Sequence, residues 1–148
     1  QINSSQKKRL CKKVTEALYQ TGTNSVSILG AAFKSDTAII TESVFSHLAP
    51  YLLERGIKIY TYDALAETAI NNAFPDAIRD GKIVVCSSEL ECIEASLCCV
   101  LALAEPAYKK ALLLSQSQNR ILIDCWRNFD SGQRWISIPH HHWWISYR

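Results

Sequence analysis

The run "LCCVLALA" (97–104) constrains this chain more than any other stretch, because no polar residue interrupts it. A strand with one face in water alternates polar and apolar residues. A strand that is apolar at every position must be covered on both faces. The run also has companions. "SVSIL" (25–29), "IKIYTYD" (57–63), "KIVVCSS" (82–88) and "RILID" (120–124) read as further strands, and "RWISI" (134–138) as a sixth at an edge.

Helical spacing fills the gaps between them. Leu10, Cys11, Val14, Ala17 and Leu18 recur on one face of an amphipathic helix from Ser5 to about Tyr19, which "TGTN" (21–24) ends. A second helix is expected over Glu42–Arg55, with Val44, Phe45, Leu48, Ala49, Leu52 and Leu53 as its stripe and Gly56 as its C-terminal cap. Pro50 falls inside it. An interior proline costs about 3 kcal/mol, so a kink or a late start is expected. A helical or turn-rich segment to about Arg79, a short helix over Glu89–Ala95 and a helix from Pro106 to about Gln116 complete the alternation. Strands alternating with helices predict an α/β fold: three layers around a mainly parallel sheet, preceded by an amphipathic helix.

At 148 residues the chain is long enough for one domain with a proper core. A net charge of +2 supplies no field that would attract nucleic acid. No apolar run approaches the ~20 residues that span a bilayer, and "QINSSQKKRL" lacks the apolar centre of a signal peptide. There is no methionine, so the chain is expected to be a piece of something longer, although N-terminal processing would give the same start. The six cysteines, at 11, 86, 92, 98, 99 and 125, form no C-x-x-C pair. Reduced core thiols of a cytoplasmic protein are the favoured reading over a disulfide or zinc framework. Cys98 and Cys99 should face opposite sides of their strand.

In open parallel sheets, ligands sit beyond the carboxyl ends of the strands, where the strand order reverses. That edge should carry Gly30, Phe33 and Lys34 after the first strand and Asp63 after the second. Glu105 and Pro106 follow the fourth strand, and Cys125, Trp126 and Arg127 the fifth. Two cations with two aromatic rings suit an anionic ligand with a planar ring. Lys34 would act as a point charge and Arg127 as a forked donor to phosphate. Lys34 could equally be a solvated loop residue, and Arg127 a partner of Asp124 or Asp130. Asp63 imitates the acidic residue that grips a ribose in dinucleotide folds. "GAAFKSD" lacks the G-x-G-x-x-G that this signature needs, so a turn or capping role fits Asp63 better.

Other candidates point to less. Three adjacent histidines in "PHHHWW" (139–144) cannot easily converge on one ion, so no metal site is expected. His47 is expected on the exposed side of its helix. No cysteine has a histidine or helix terminus that would activate it, and no serine sits in a G-x-S-x-G elbow. No self-sufficient active site is expected from these residues.

"INSSQKKRLCKKV", "VSILGAAFKSDTAIITES", "LLERGIKIYTYDA" and "ILIDCWRNFD", in this order, resemble the C-terminal, UDP-sugar-binding domain of the UDP-glucose/GDP-mannose dehydrogenase family. The resemblance runs from about Ile2 to Ile138. It implies a Rossmann-like domain over 21–139, preceded over 1–20 by the end of a connecting helix region and followed over 140–148 by a tail. It also implies a longer, cytoplasmic, homodimeric parent of polysaccharide biosynthesis. That parent's N-terminal domain would bind NAD, and its reaction would oxidise a sugar C6 alcohol to a carboxylate with two NAD and a catalytic cysteine. By this resemblance Phe33 and Lys34 fall on the substrate-contacting loop. Arg127, beside Trp126, falls on the arginine that reaches the nucleotide sugar.

Departures from the family pattern are Thr41 before Glu42-Ser43, where the family usually has arginine, and Pro50 and the Cys125-Trp126 pair. The NAD domain and the catalytic cysteine are not in this chain. A stand-alone, non-catalytic nucleotide-sugar-binding or interaction module of the same fold is the alternative expectation.

Overall fold

The computed structural model describes residues 4–115 and 120–125. Helix α1 (Ser4–Thr21) leads into strand β1 (Ser25–Leu29), helix α2 (Val44–Glu54) and strand β2 (Lys58–Tyr62). Two short helices, α3 (Glu67–Ala73) and α4 (Pro75–Arg79), precede β3 (Ile83–Val85). Helix α5 (Glu89–Glu94), β4 (Cys98–Leu101), α6 (Pro106–Leu114) and β5 (Ile121–Asp124) follow. Among the described residues all four strand pairings are parallel, and the order across the sheet is β3-β2-β1-β4-β5. The order reverses between β1 and β4. The expected sixth strand and the histidine-containing tail lie outside the described residues.

Alternation along each strand builds two cores. Ile28, Cys98, Val100, Ile121 and Ile123 face α1 and α2, where they meet Leu10, Val14, Phe45, Leu48 and Leu52. Leu29, Cys99, Leu101 and Leu122 face the opposite side and meet Cys92 and Ile93 of α5 and Tyr108 and Leu112 of α6. Cys98 and Cys99 thus point to opposite faces, and the six cysteines are free thiols. Burial pushes the Cys98 thiol upward and the Cys99 thiol up to about 12, which leaves both as inert core groups.

Local chemistry sets the element ends. Helix α1 runs a little beyond Tyr19 and stops where Gly22 takes φ 66°, its N–H donating to the Leu18 carbonyl at 3.0 Å. Helix α2 starts late, at Val44, because Ser43 caps it by accepting from the Ser46 N–H at 3.0 Å. Pro50 stays inside the helix on an exposed position. Strand β3 is shorter than the expected 82–88. Ser88 instead caps α5, accepting from the Glu91 N–H at 3.1 Å, while the Glu91 carboxylate accepts from the Ser87 N–H at 2.7 Å. This reciprocal pattern, a variant of the capping box, starts a helix where strand residues alone would have run on. Strand β4 likewise ends at Leu101. Ala102 still donates to the Leu29 carbonyl at 2.9 Å before the chain leaves the ladder.

Candidate functional site

The end of β1 meets the end of β2 through glycine. The Gly30 N–H donates to the Tyr62 carbonyl at 2.8 Å, and Gly30 has φ 94°. A Cβ there would lie 2.8 Å from Leu103 Cγ, so the close approach of β1 and the segment after β4 requires glycine at this position. The loop then turns outward. Ala31 and Ala32 donate their N–H groups to Asp63 Oδ2 at 2.8 and 2.9 Å. Phe33 and Lys34 follow at the exposed tip, and the Phe33 N–H donates to the Ile39 carbonyl at 2.9 Å to close the loop. The Lys34 ammonium stands 5.5 Å from the centre of the Phe33 ring, within cation–π range.

Beside this tip lies a cleft of about 230 Å³, at the point where the strand order reverses. The loop after β1 lines it with Lys34, Asp36 and Thr37, and the end of β2 with Tyr62 and Asp63. Glu89 from the start of α5, Leu103 and Glu105 from the β4–α6 connection and Tyr108 from α6 close the other walls. Tyr62 and Tyr108 pack edge to face, with centres 6.4 Å apart. Burial, and then the neighbouring carboxylates Asp63 and Glu105, push the Tyr108 hydroxyl upward. Burial with Glu89 and Asp63 does the same to Tyr62. Both stay neutral hydroxyls that can donate to a ligand.

The charge is uneven. Among the described residues lining the cleft, Lys34 is the cation, facing Asp36, Asp63, Glu89 and Glu105. A diphosphate is therefore repelled from the floor and attracted to the rim, where Lys34 is exposed. The floor suits neutral, hydroxyl-bearing groups. The volume is below the roughly 300–1,000 Å³ usual for a ligand pocket, as a surface that forms one wall of a larger site would be.

Of the residues expected at the site, Lys34, Asp63 and Glu105 come together in the cleft, and Phe33 stands beside Lys34 at the loop tip without lining it. Pro106 opens α6 at its first turn, and Cys125 is buried in the core. Trp126 and Arg127 lie outside the described residues. Asp63 serves a turn, as its sequence setting indicated: Oδ1 accepts from the Leu65 N–H at 3.0 Å, and its other oxygen takes the loop amides. Tyr62, Glu89 and Tyr108 were missed as site residues. The strand-edge rule could have found the first two, since one ends β2 and the other opens the helix that follows β3. Tyr108 carried no such signal.

His47 departs from expectation. Its side chain is only 14% exposed, in a groove between α1 and α2, with Nε2 3.8 Å from Glu42 Oε2. The stripe reading had placed it on the polar side of α2. The N-terminal turn of α1, with Lys7 and Lys8 on the groove wall, covers that side.

The fold is that of a Rossmann-like α/β domain, and the loop between β1 and α2 is its candidate ligand edge. Residues 27–131 match the UDP binding domain of the UDP-glucose/GDP-mannose dehydrogenase family. The chain belongs to this family. It is similar to the UDP-glucose 6-dehydrogenases of Gallus gallus, 35% identical over 63 residues (42% of this chain and 13% of that protein), and Bos taurus, 33% identical over 86 residues (55% and 17%). Its fold is similar to a UDP-glucose dehydrogenase from Pyrobaculum islandicum, with TM-score 0.63, 22% identity, and coverage of 78% of this chain and 26% of that one. A GDP-mannose dehydrogenase from Pseudomonas aeruginosa, solved as a ternary complex, gives TM-score 0.63 at 19% identity over 92% and 30%. The chain thus spans less than a fifth of these curated relatives and under a third of these solved chains.

Proposed function

We propose that this chain is the nucleotide-sugar-binding part of an NAD-dependent nucleotide-sugar 6-dehydrogenase, which oxidises the sugar C6 alcohol to a carboxylate in the cytoplasm. The observation that carries the reading is the placement of Phe33 and Lys34, at the tip of the β1 loop and at the strand-order switch point, within a UDP-binding-domain match. Lys34 holds the diphosphate at the rim, the Phe33 ring supplies an apolar surface, and Trp126 and Arg127 add a ring and a forked donor. Tyr62, Glu89 and Glu105 accept or donate at hydroxyl groups.

The loop after β1 does not fit NAD. Its Ala31 and Ala32 amides are occupied by Asp63, and a phenylalanine and a lysine follow in place of further glycines. In this reading NAD and the catalytic cysteine belong to another part of the parent. The 1–20 segment leads from that part into the 21–139 domain, and the parent works as a homodimer.

Isothermal titration of UDP and UDP-glucose into the 148-residue chain tests the assignment. Removing one charge-assisted hydrogen bond to the diphosphate, by Lys34→Ala or by Arg127→Ala, should weaken binding roughly ten- to hundred-fold. Binding that both variants leave untouched overturns the site.

A further inference from the structure

In dinucleotide-binding folds, the backbone N–H groups that follow the first strand point at a phosphate of the ligand. Here the corresponding consecutive amides, Ala31 and Ala32, already have an anion. Asp63 Oδ2 accepts from them at 2.8 and 2.9 Å, and Oδ1 accepts from Leu65 at 3.0 Å. Asp63 is 7% exposed and directly follows β2. It therefore ties the turn after β2 to the loop after β1. The Gly30–Tyr62 backbone bond and the Gly30–Leu103 approach fix the base of the same loop, and Phe33 and Lys34 begin directly beyond the amides that Asp63 holds.

We propose that Asp63 is a built-in anion: it takes the place of a ligand phosphate on the loop amides and thereby positions Phe33 and Lys34 for the nucleotide sugar. The carboxylate makes the backbone an unavailable phosphate cradle, so the ligand's diphosphate must be held by side chains. An aspartate at this position of the second strand thus has the opposite role from a ribose clamp. It shapes the loop from inside and does not touch ligand. The positioning role rests on the nucleotide-sugar reading above; the built-in anion does not.

Amide hydrogen exchange by NMR on the full chain tests both parts, with Asp63→Ala and Asp63→Asn measured with and without formate, alongside UDP titration. In Asp63→Ala the Ala31 and Ala32 amides should exchange at least ten-fold faster while Val100 in β4 stays protected. Formate, a small carboxylate, should restore their protection and the UDP affinity together. Asp63→Asn keeps the shape and loses the charge, and should give a smaller acceleration that formate does not reverse. It carries the test if the alanine variant fails to fold. Unchanged exchange at Ala31 and Ala32 in every variant that folds overturns the built-in anion. Faster loop exchange with unchanged UDP affinity overturns the positioning role. If the unmodified chain binds no UDP but the exchange pattern and formate rescue occur, the built-in anion stands and the nucleotide-sugar reading falls.

Discussion

His47 shows how a residue's charge is set by its neighbours. Burial first, and then the Lys7 ammonium, hold its imidazole below the ordinary 6.5, while Glu42 pulls the other way. The folded chain therefore binds this proton less readily than the unfolded chain. The stabilisation is complete above about 6.5 and is lost as the pH falls through the lower folded value. Urea unfolding between about pH 7.5 and about pH 5.5, a window in which few carboxylates titrate, should show a stability decline that His47→Gln reduces. Parallel declines in the two proteins would contradict this. From the sequence, His47 read as exposed because a helical stripe identifies the face turned to the sheet; it does not show that a neighbouring helix will cover the flank. Phe33 and Lys34, by contrast, were legible. Their position after a strand and its glycine is a local fact, and the sheet-edge rule turns it into a location.

At the level of elements, the strand and helix order was readable because period-2 and period-3.6 patterns depend only on near neighbours. Element ends were readable only in part: β1 and the starts of α5 and α6 were legible, but the end of β3 was not, because caps compete with propensity. "KIVVCSS" has strand character throughout, yet Ser88 and Glu91 cap a helix that cuts the strand short at Val85. Ser88→Ala should cost about 1 kcal/mol in chemical denaturation, and no loss would show that the cap does not set this boundary. Pro50 offers the opposite test. It removes one N–H from the interior of α2 while its ring sits exposed, so Pro50→Ala should stabilise the chain by roughly 1–3 kcal/mol. A destabilised variant would mean that the helix depends on the proline's shape.

The whole molecule adds what no single element carries: a sheet whose order reverses between β1 and β4 and so opens a cleft at one edge. The parallel sheet followed from strands too apolar to face water. The strand order did not, because it depends on pairings between distant segments, such as Ser27 with Cys99. Nor did the acidic lining of the cleft, which gathers Asp36 and Glu105 from two connections and Glu89 from the start of α5. A map of backbone amide shifts during titration with UDP-glucose tests most directly whether this edge binds the nucleotide sugar. Saturable shifts are expected in the loop from Gly30 to Thr37, at Tyr62–Leu65 and at Leu103–Tyr108. Shifts confined to the groove between α1 and α2, with the loop unmoved at saturation, would contradict binding at this edge.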